Sequence, residues 1–267
     1  MSTAVVTVVH GRHRHLANQL AGLHRSVISP DRHIVVSMGD PDVRELVGDA
    51  ATVVDLEQPG SALPLAAARN LGARTALGAG CDVLIFLDVD CIPGTEMIDR
   101  YQRAVADRPR ALACGPVTYL PAMGEVAVDG LDRFTNPHPA RPNPPDGIIA
   151  EGTNYDLFWS LSFALTASTW DTVGGFCEDY TGYGGEDTDF AWTARRSGVG
   201  LVWVGGAHAY HQHHPVSSPP VEHLVDIVTN SRLFHDRWGR WPMSGWLDEF
   251  ERRGLIERDD GTITLVQ

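Results

Sequence analysis

Three small groups of residues in this chain could do chemistry together. Asp88 and Asp90 stand two apart at the end of the apolar run Leu84-Ile85-Phe86-Leu87, Glu186 and Asp187 follow the glycine pair Gly184-Gly185, and His208, His211, His213 and His214 crowd one short segment. On a strand, side chains two apart share a face, so Asp88 and Asp90 are expected to project the same way. Two such acids can hold a divalent cation, and a hard, oxygen-bound cation is a natural partner for a diphosphate. A carboxylate at a helix start can take the proton from an attacking hydroxyl. Each signal also has a plain reading. Asp is common in turns, acids in a first helical turn balance its dipole, and a histidine-rich turn needs no metal.

The elements that would position these groups follow an alternating pattern. Strand signals fall at 4–9, 33–38, 52–55 and 83–88, with helical signals at 14–27, 41–48 and 62–78 between them. That alternation predicts an α/β protein with a doubly wound, mostly parallel sheet flanked by helices. The run before Asp88 is apolar on both faces, as in a central strand of a covered sheet. Ligands bind beyond the carboxyl ends of such strands. A helix over 94–107 and a strand over 111–117 follow. From about 120 to 152 the pattern dissolves into Pro, Asn, Gly and Asp, which predicts a long functional loop with little apolar area to bury. Order returns at 158–166, a helix begins at Glu186 and closes at Arg195, Arg196 and Gly198, and 201–204 is a further strand. The tail after 221 holds two helices, with Trp238, Trp241 and Trp246 between them, and a short terminal strand.

Composition excludes several classes. With 267 residues and 43% hydrophobic content, the chain suits a soluble globular protein. No apolar run approaches the ~18 residues of a membrane span, and the N-terminus reads as a first strand and not a signal peptide. The net charge of −13 argues against nucleic acid as a partner. Every basic residue is Arg, so no mechanism can depend on lysine. Cys81, Cys91, Cys114 and Cys177 show no CxxC spacing and read as free thiols in a reducing, cytoplasmic setting.

Taken in order, the motifs resemble those of inverting GT-A glycosyltransferases of glycosyltransferase family two, in particular the β-1,4-galactosyltransferase and chondroitin-polymerase-like group. The residues that carry the resemblance are His10-Gly11-Arg12-His13-Arg14-His15-Leu16, Ala68-Arg69-Asn70-Leu71-Gly72, Phe86-Leu87-Asp88-Val89-Asp90, Gly182-Tyr183-Gly184-Gly185-Glu186-Asp187 and Ala209-Tyr210-His211. They span residues 4 to 214. The resemblance implies a GT-A domain over 1–220, with a nucleotide-binding half to about 117, a flexible loop at 120–152 and an acceptor half at 153–220. Residues 221–267 would be a helical extension packed on it.

The resemblance also implies roles. Asp187 would be the general base and Glu186 would position the acceptor or sugar. Arg12, Arg14, Asp40, Arg69, Asn70, Asp88, Tyr183 and Gly185 would contact the nucleotide sugar. Asp88, Asp90 and His211, with His208 as the weaker candidate, would hold the metal, leaving His213 and His214 to solvent or local backbone. A donor set of carboxylate, imidazole and diphosphate suits Mn²⁺ better than Mg²⁺. The implied donor is a UDP-sugar carrying a hexose or N-acetylhexosamine. The acceptor would be a carbohydrate, a glycolipid or a small molecule, and peripheral membrane contact is compatible with it.

Rival readings are a sugar-nucleotide pyrophosphorylase, a non-catalytic sugar-nucleotide-binding module and a zinc hydrolase. The opening turn has one glycine and no lysine, unlike a pyrophosphorylase loop. No HExxH spacing supports the hydrolase.

Overall fold

The computed structural model describes residues 1–58, 60, 62–123, 126–215 and 217–266. The chain opens with β1 (Thr3–Val9), α1 (His13–His24), β2 (Arg32–Met38), α2 (Asp42–Val47), β3 (Thr52–Leu56), α3 (Leu65–Gly78) and β4 (Val83–Leu87). These are the alternating elements that the sequence predicts. After β4 come β5 (Cys91–Pro93), α4 (Met97–Asp107), β6 (Ala111–Cys114), β7 (Val117–Tyr119), β8 (Ile149–Gly152), β9 (Ser162–Thr166) and α5 (Ala167–Val173). Then follow α6 (Glu186–Arg196), β10 (Gly200–Val204), β11 (Ala209–His211), α7 (Leu224–Trp238), α8 (Ser244–Arg252), β12 (Ile256–Arg258) and β13 (Ile263–Leu265).

Eight strands form the main sheet in the order β3-β2-β1-β4-β9-β6-β10-β8. The β1–β2, β2–β3, β1–β4 and β6–β10 pairs are parallel, and β9 and β8 run antiparallel to their neighbours. Strand β1 is buried along its whole length. It is covered by α3, where Gly72 lets the helix approach so closely that a Cβ there would sit 2.4 Å from Val6 Cγ1. Aromatic residues Phe86, Phe163, Trp170, Phe176 and Phe190 fill the core on that side, with Phe86 and Phe163 stacked at 4.7 Å between centroids. All of this apolar mass lies under the carboxyl ends of β1 and β4, which fixes where the site can be.

Several expectations from the sequence are corrected. The stretch 111–117 is not one strand. It breaks at Gly115-Pro116, so that β6 joins the main sheet while β7 joins a three-stranded sheet in the order β5-β11-β7. A Cβ on Gly115 would lie 2.0 Å from the Ala207 carbonyl, which makes this crossing point a glycine position. The terminal strand is a β12–β13 hairpin.

The segment 120–152 buries more than its composition suggests. Leu120 and Leu131 pack with Ile92 and Tyr210, Thr135 shares a hydroxyl–hydroxyl bond of 2.8 Å with Tyr210, and β8 pairs with β10. Gly124 and Glu125 of this segment lie outside the described residues. A few large side chains anchor a chain that is otherwise polar, a pattern that average composition does not reveal. The cysteines are free thiols, as expected, and three of the four are buried.

Candidate active site

Asp88 and Asp90 reach the site by a route other than strand alternation. Strand β4 ends at Leu87, and the Cys91 amide donates 2.8 Å to the Asp88 carbonyl, closing a turn between β4 and β5. The turn sends the two carboxylates to different partners. Asp88 Oδ1 accepts from Arg69 Nη2 at 3.1 Å, whereas Asp90 Oδ2 lies 3.3 Å from His211 Nε2 and 3.4 Å from His214 Nε2.

Behind the turn stands Gln19 of α1, fully buried. Its amide nitrogen donates to the carbonyls of Asp88 (2.7 Å) and Cys91 (2.9 Å), and its Oε1 accepts from the Thr7 hydroxyl at 2.8 Å. Gln212 makes a second brace. Its backbone N–H donates 2.7 Å to the Asp90 carbonyl and its side chain bonds Asn18 and the His15 carbonyl.

One ligand atom each from Asp90, His211 and His214 lies within 4.8 Å of the others. Asp90 Oδ1 is buried and has no hydrogen-bond partner among the described residues, so one carboxylate oxygen is uncommitted while Oδ2 faces the two imidazoles. Burial alone would push the Asp90 carboxyl up, but the bonds from His211 and His214 outweigh it and hold the group well below the usual carboxylate range. A carboxylate with two imidazoles fits a borderline divalent ion such as Mn²⁺.

Two of the implied metal ligands are not in this group. His208 stands just before β11 and turns toward Asp146, 3.9 Å away. Asp88 is engaged by Arg69. The place expected for His208 is taken by His214, whose side chain is only 16% exposed.

Arg69 is the hub of the site. It is 3% exposed and donates to Asp88 and, at 3.0 Å, to Glu186 Oε1. Burial would lower its pKa, but the two flanking carboxylates more than offset this and keep it charged. Asp88 is pushed upward mainly by burial, against the pull of Arg69. This ion triad ties the β4–β5 turn to the start of α6.

Asp187 is the next residue of α6 and lines the same cleft. Its Oδ1 accepts from the Thr188 N–H at 2.7 Å. Burial, reinforced by the Glu186 charge, raises its pKa to about 7. A carboxyl poised there can accept a proton near neutral pH. Asp189, two residues on, is structural: Arg237 grips it at 2.7 and 3.3 Å, and Trp238 Nε1 donates to it at 2.7 Å.

The glycine-rich turn before α6 is held by α7. Gly182, Gly184 and Gly185 all have positive φ, and a Cβ on Gly182 would collide with Asp226 of α7. Gly185 is pressed against Tyr180, where a Cβ would sit 3.1 Å from Cε1. It shapes the turn, and Gly184 lines the cleft. Tyr183 also lines it, stacked 4.5 Å from His223 and 5.8 Å from Trp246.

The cleft measures about 720 Å³, within the range of small-ligand pockets. Arg12, Arg69, Asp88, Asp90, Glu186 and Asp187 stand on its polar side. Trp241 and Met243 from the α7–α8 connection and Trp246 of α8 also line the cleft.

Other expected contacts are corrected. Asn70 faces away from the cleft, with its amide spent on the Phe176 carbonyl (2.9 Å), Glu178 (2.8 Å) and the Phe176 N–H (2.8 Å). Asp40 accepts from the Gly11 N–H at 2.7 Å and pairs with His13 at 2.8 Å, closing the turn after β1. Burial works against ionisation of Asp40, yet the His13 and Gly11 bonds keep its pKa lowered. Arg14 is exposed on α1 and, unlike Arg12, is not among the lining residues.

Residues 151–215, which carry Glu186, Asp187, His211 and His214, match a family model described as the N-terminal domain of galactosyltransferase. The chain is 26% identical over 235 residues to validoxylamine A glucosyltransferase of Streptomyces hygroscopicus subsp. limoneus, covering 74% of this chain and 49% of that one. It is 24% identical over 241 residues to chondroitin synthase of Escherichia coli, covering 79% and 35%. The structure of S. aureus TarS 1–349 in complex with UDP-GlcNAc superposes with a TM-score of 0.64 at 12% identity, over 96% of this chain and 73% of that one. GalNAc-T7 with UDP, GalNAc and Mn²⁺ superposes with a TM-score of 0.57 at 13% identity, over 94% and 57%.

These relatives are glycosyltransferases, and the fold is the GT-A fold of the solved neighbours. The chain spans about half or less of the length of these two curated relatives.

Proposed function

We propose that this chain is a metal-dependent, inverting glycosyltransferase that moves a hexose or N-acetylhexosamine from a UDP-sugar to an acceptor hydroxyl. The observation that carries the reading is that Asp187, with its raised pKa, lines one cleft with Asp90, the carboxylate that His211 and His214 face. Solved GT-A neighbours hold UDP-GlcNAc, or UDP with Mn²⁺, which supports a nucleotide-sugar donor.

In this reading Arg12 binds diphosphate oxygens at the cleft mouth. Arg69 sets the Asp88 and Glu186 carboxylates, and Asp88 meets the donor. Asp90, His211 and His214 would hold Mn²⁺, which supplies positive charge against the diphosphate of the departing UDP. Asp187 accepts the proton of the acceptor hydroxyl as that oxygen bonds the anomeric carbon and the bond from that carbon to the UDP oxygen breaks. Attack from the face opposite UDP inverts the centre. Trp241, Met243 and Trp246 exclude water and offer ring faces to a sugar.

The test is a screen of UDP-sugars for donor hydrolysis with Mn²⁺ and with chelator. Release of UDP from at least one UDP-hexose or UDP-N-acetylhexosamine, lost on chelation and lost in Asp90→Asn, is expected. Nucleotide-sugar synthesis from a sugar phosphate and UTP would instead establish the pyrophosphorylase.

A further inference from the structure

Outside the cleft, one surface runs against the composition of the chain. Arg240, at the cleft rim, lies 4.6 Å over the ring of Trp192. Arg195 lies 5.7 Å over Trp192 and 5.8 Å over Tyr155, and Arg196 lies 4.5 Å over Trp238. Trp192 and Trp238 meet edge to face at 5.6 Å, and the Trp192 N–H is anchored 2.8 Å from Asp156 Oδ1. The result is a continuous ladder of guanidinium groups and aromatic rings that begins at the cleft rim.

Two of its three charges are unspent. Arg240 has only a 3.5 Å contact with Asp156. Among the described residues, Arg195 and Arg196 have no ion-pair partner. A guanidinium stacked on a ring keeps its donor edge free for carboxylate or sulfate oxygens. In a chain of net charge −13, two neighbouring arginines without an ion-pair partner are not a general property of the surface. The rings beneath restrict the arginines in advance, so less rotamer freedom is lost when an anion binds.

We propose that this ladder is a binding track for an anionic saccharide chain whose terminal sugar offers the acceptor hydroxyl to Asp187. The proposal rests on the glycosyltransferase reading for what happens at the end of that chain. Helix α6 carries both functions, with Asp187 in its first turn and Arg195 eight residues on, about 12 Å along the axis. An acceptor seated in the cleft and extended past Arg240 meets Trp192 and then Arg195 and Arg196. A membrane is the weaker partner, because the exposed large aliphatic side chains, such as Val221 and Val225, lie outside the ladder.

The test uses the full chain with Mn²⁺ and UDP. Calorimetry compares a uronate hexasaccharide, a neutral hexasaccharide and anionic phospholipid vesicles, for the wild type and for the double variant Arg195→Ala/Arg196→Ala. The uronate chain should bind most tightly, more weakly as salt rises, and at least about tenfold more weakly to the double variant. UDP-sugar hydrolysis, which needs no acceptor, should be unchanged in that variant. If the uronate chain binds no better than the neutral one, if the double variant binds it equally well, or if vesicles bind in its stead, the track is overturned. Loss of hydrolysis in the wild type would instead strike the glycosyltransferase reading, since saccharide binding is measured separately.

Discussion

The side-chain amide of Gln19 donates 2.7 Å to the carbonyl of Asp88, from a position on α1 that never reaches the cleft. The same nitrogen serves the Cys91 carbonyl, so one buried residue holds both ends of the turn that carries Asp90. The arrangement extends backward through Thr7 to His33, whose Nε2 lies 3.1 Å from the Thr7 hydroxyl. Burial lowers the His33 pKa to about 4, so the ring is neutral at pH 7. With Thr7 donating to Gln19, the ring donates from Nε2 to Thr7.

Gln19→Leu keeps the volume but removes one bond from each of the Asp88 and Cys91 carbonyls and the acceptor of the Thr7 hydroxyl, all in the interior. We expect a loss of roughly 2–4 kcal/mol, seen as a lowered chemical-denaturation midpoint. Mn²⁺ binding with UDP should weaken as well, because the turn loses its register. A variant with lowered stability but unaltered metal affinity would show that Gln19 supports the fold without setting the site.

Asp187→Asn separates base from scaffold. It keeps the shape and should lower turnover about 10²–10⁴-fold while UDP and metal affinity stay close to wild type. The pH profile of the wild type should rise through about 7, as the raised carboxyl ionises. Stability runs the other way. A carboxyl raised in the folded state binds more protons there than in the unfolded chain, so its ionisation costs stability as pH climbs from about 4 through about 7. Asp187→Asn should therefore melt above wild type at pH 8 and lose that advantage at pH 4. Equal turnover of variant and wild type on a verified acceptor would move the base elsewhere, Glu186 being next in line.

Three histidines in and around β11 make a sharper contrast. His211→Ala and His214→Ala should each weaken Mn²⁺ binding by at least about tenfold, since each removes an imidazole facing Asp90. His208→Ala should leave it unchanged, because that ring faces Asp146. Calorimetric titration of Mn²⁺ in the presence of UDP reads all three. Retained affinity in His214→Ala would limit the protein ligands to Asp90 and His211.

The sheet, its crossover helices and the order of motifs were legible in the sequence, because apolar periodicity and glycine placement act over short windows. Asp90, Asp187 and Glu186, which the sequence puts at element ends, line one cleft with Arg69 of α3. What was illegible depends on side-chain direction across the fold. Gln19 is a polar residue in an amphipathic helix, and nothing local distinguishes it from a solvated one. His214 lies past the end of β11, where no period fixes its direction, and its ring turns back toward Asp90. His208 stands just before β11 and its ring turns to Asp146, a direction that its spacing from His211 does not announce. The two-strand break at Gly115-Pro116 depends on the approach of Ala207, more than ninety positions away in the chain.

Arg69 and Asn70 are neighbours on α3 that motif reading groups together, and their surroundings predict opposite behaviour. Arg69 is the cation between two buried carboxylates, so Arg69→Met leaves Asp88 and Glu186 facing each other without compensation. That should cost roughly 3–5 kcal/mol and abolish donor binding along with it. Asn70 points the other way, into the turn after α5, where its amide makes three bonds to Phe176 and Glu178. Asn70→Ala should cost roughly 2–3 kcal/mol through those lost bonds, and Gly175, packed 2.8 Å from Asn70 Oδ1 by its would-be Cβ, should loosen with it. UDP affinity with Mn²⁺ should stay within about twofold, because none of the lost bonds reaches the cleft. Hydrogen exchange around residues 174–178 and a UDP titration on the same sample decide the matter. If Asn70→Ala loses nucleotide affinity while exchange in that turn is unchanged, Asn70 contacts the donor after all.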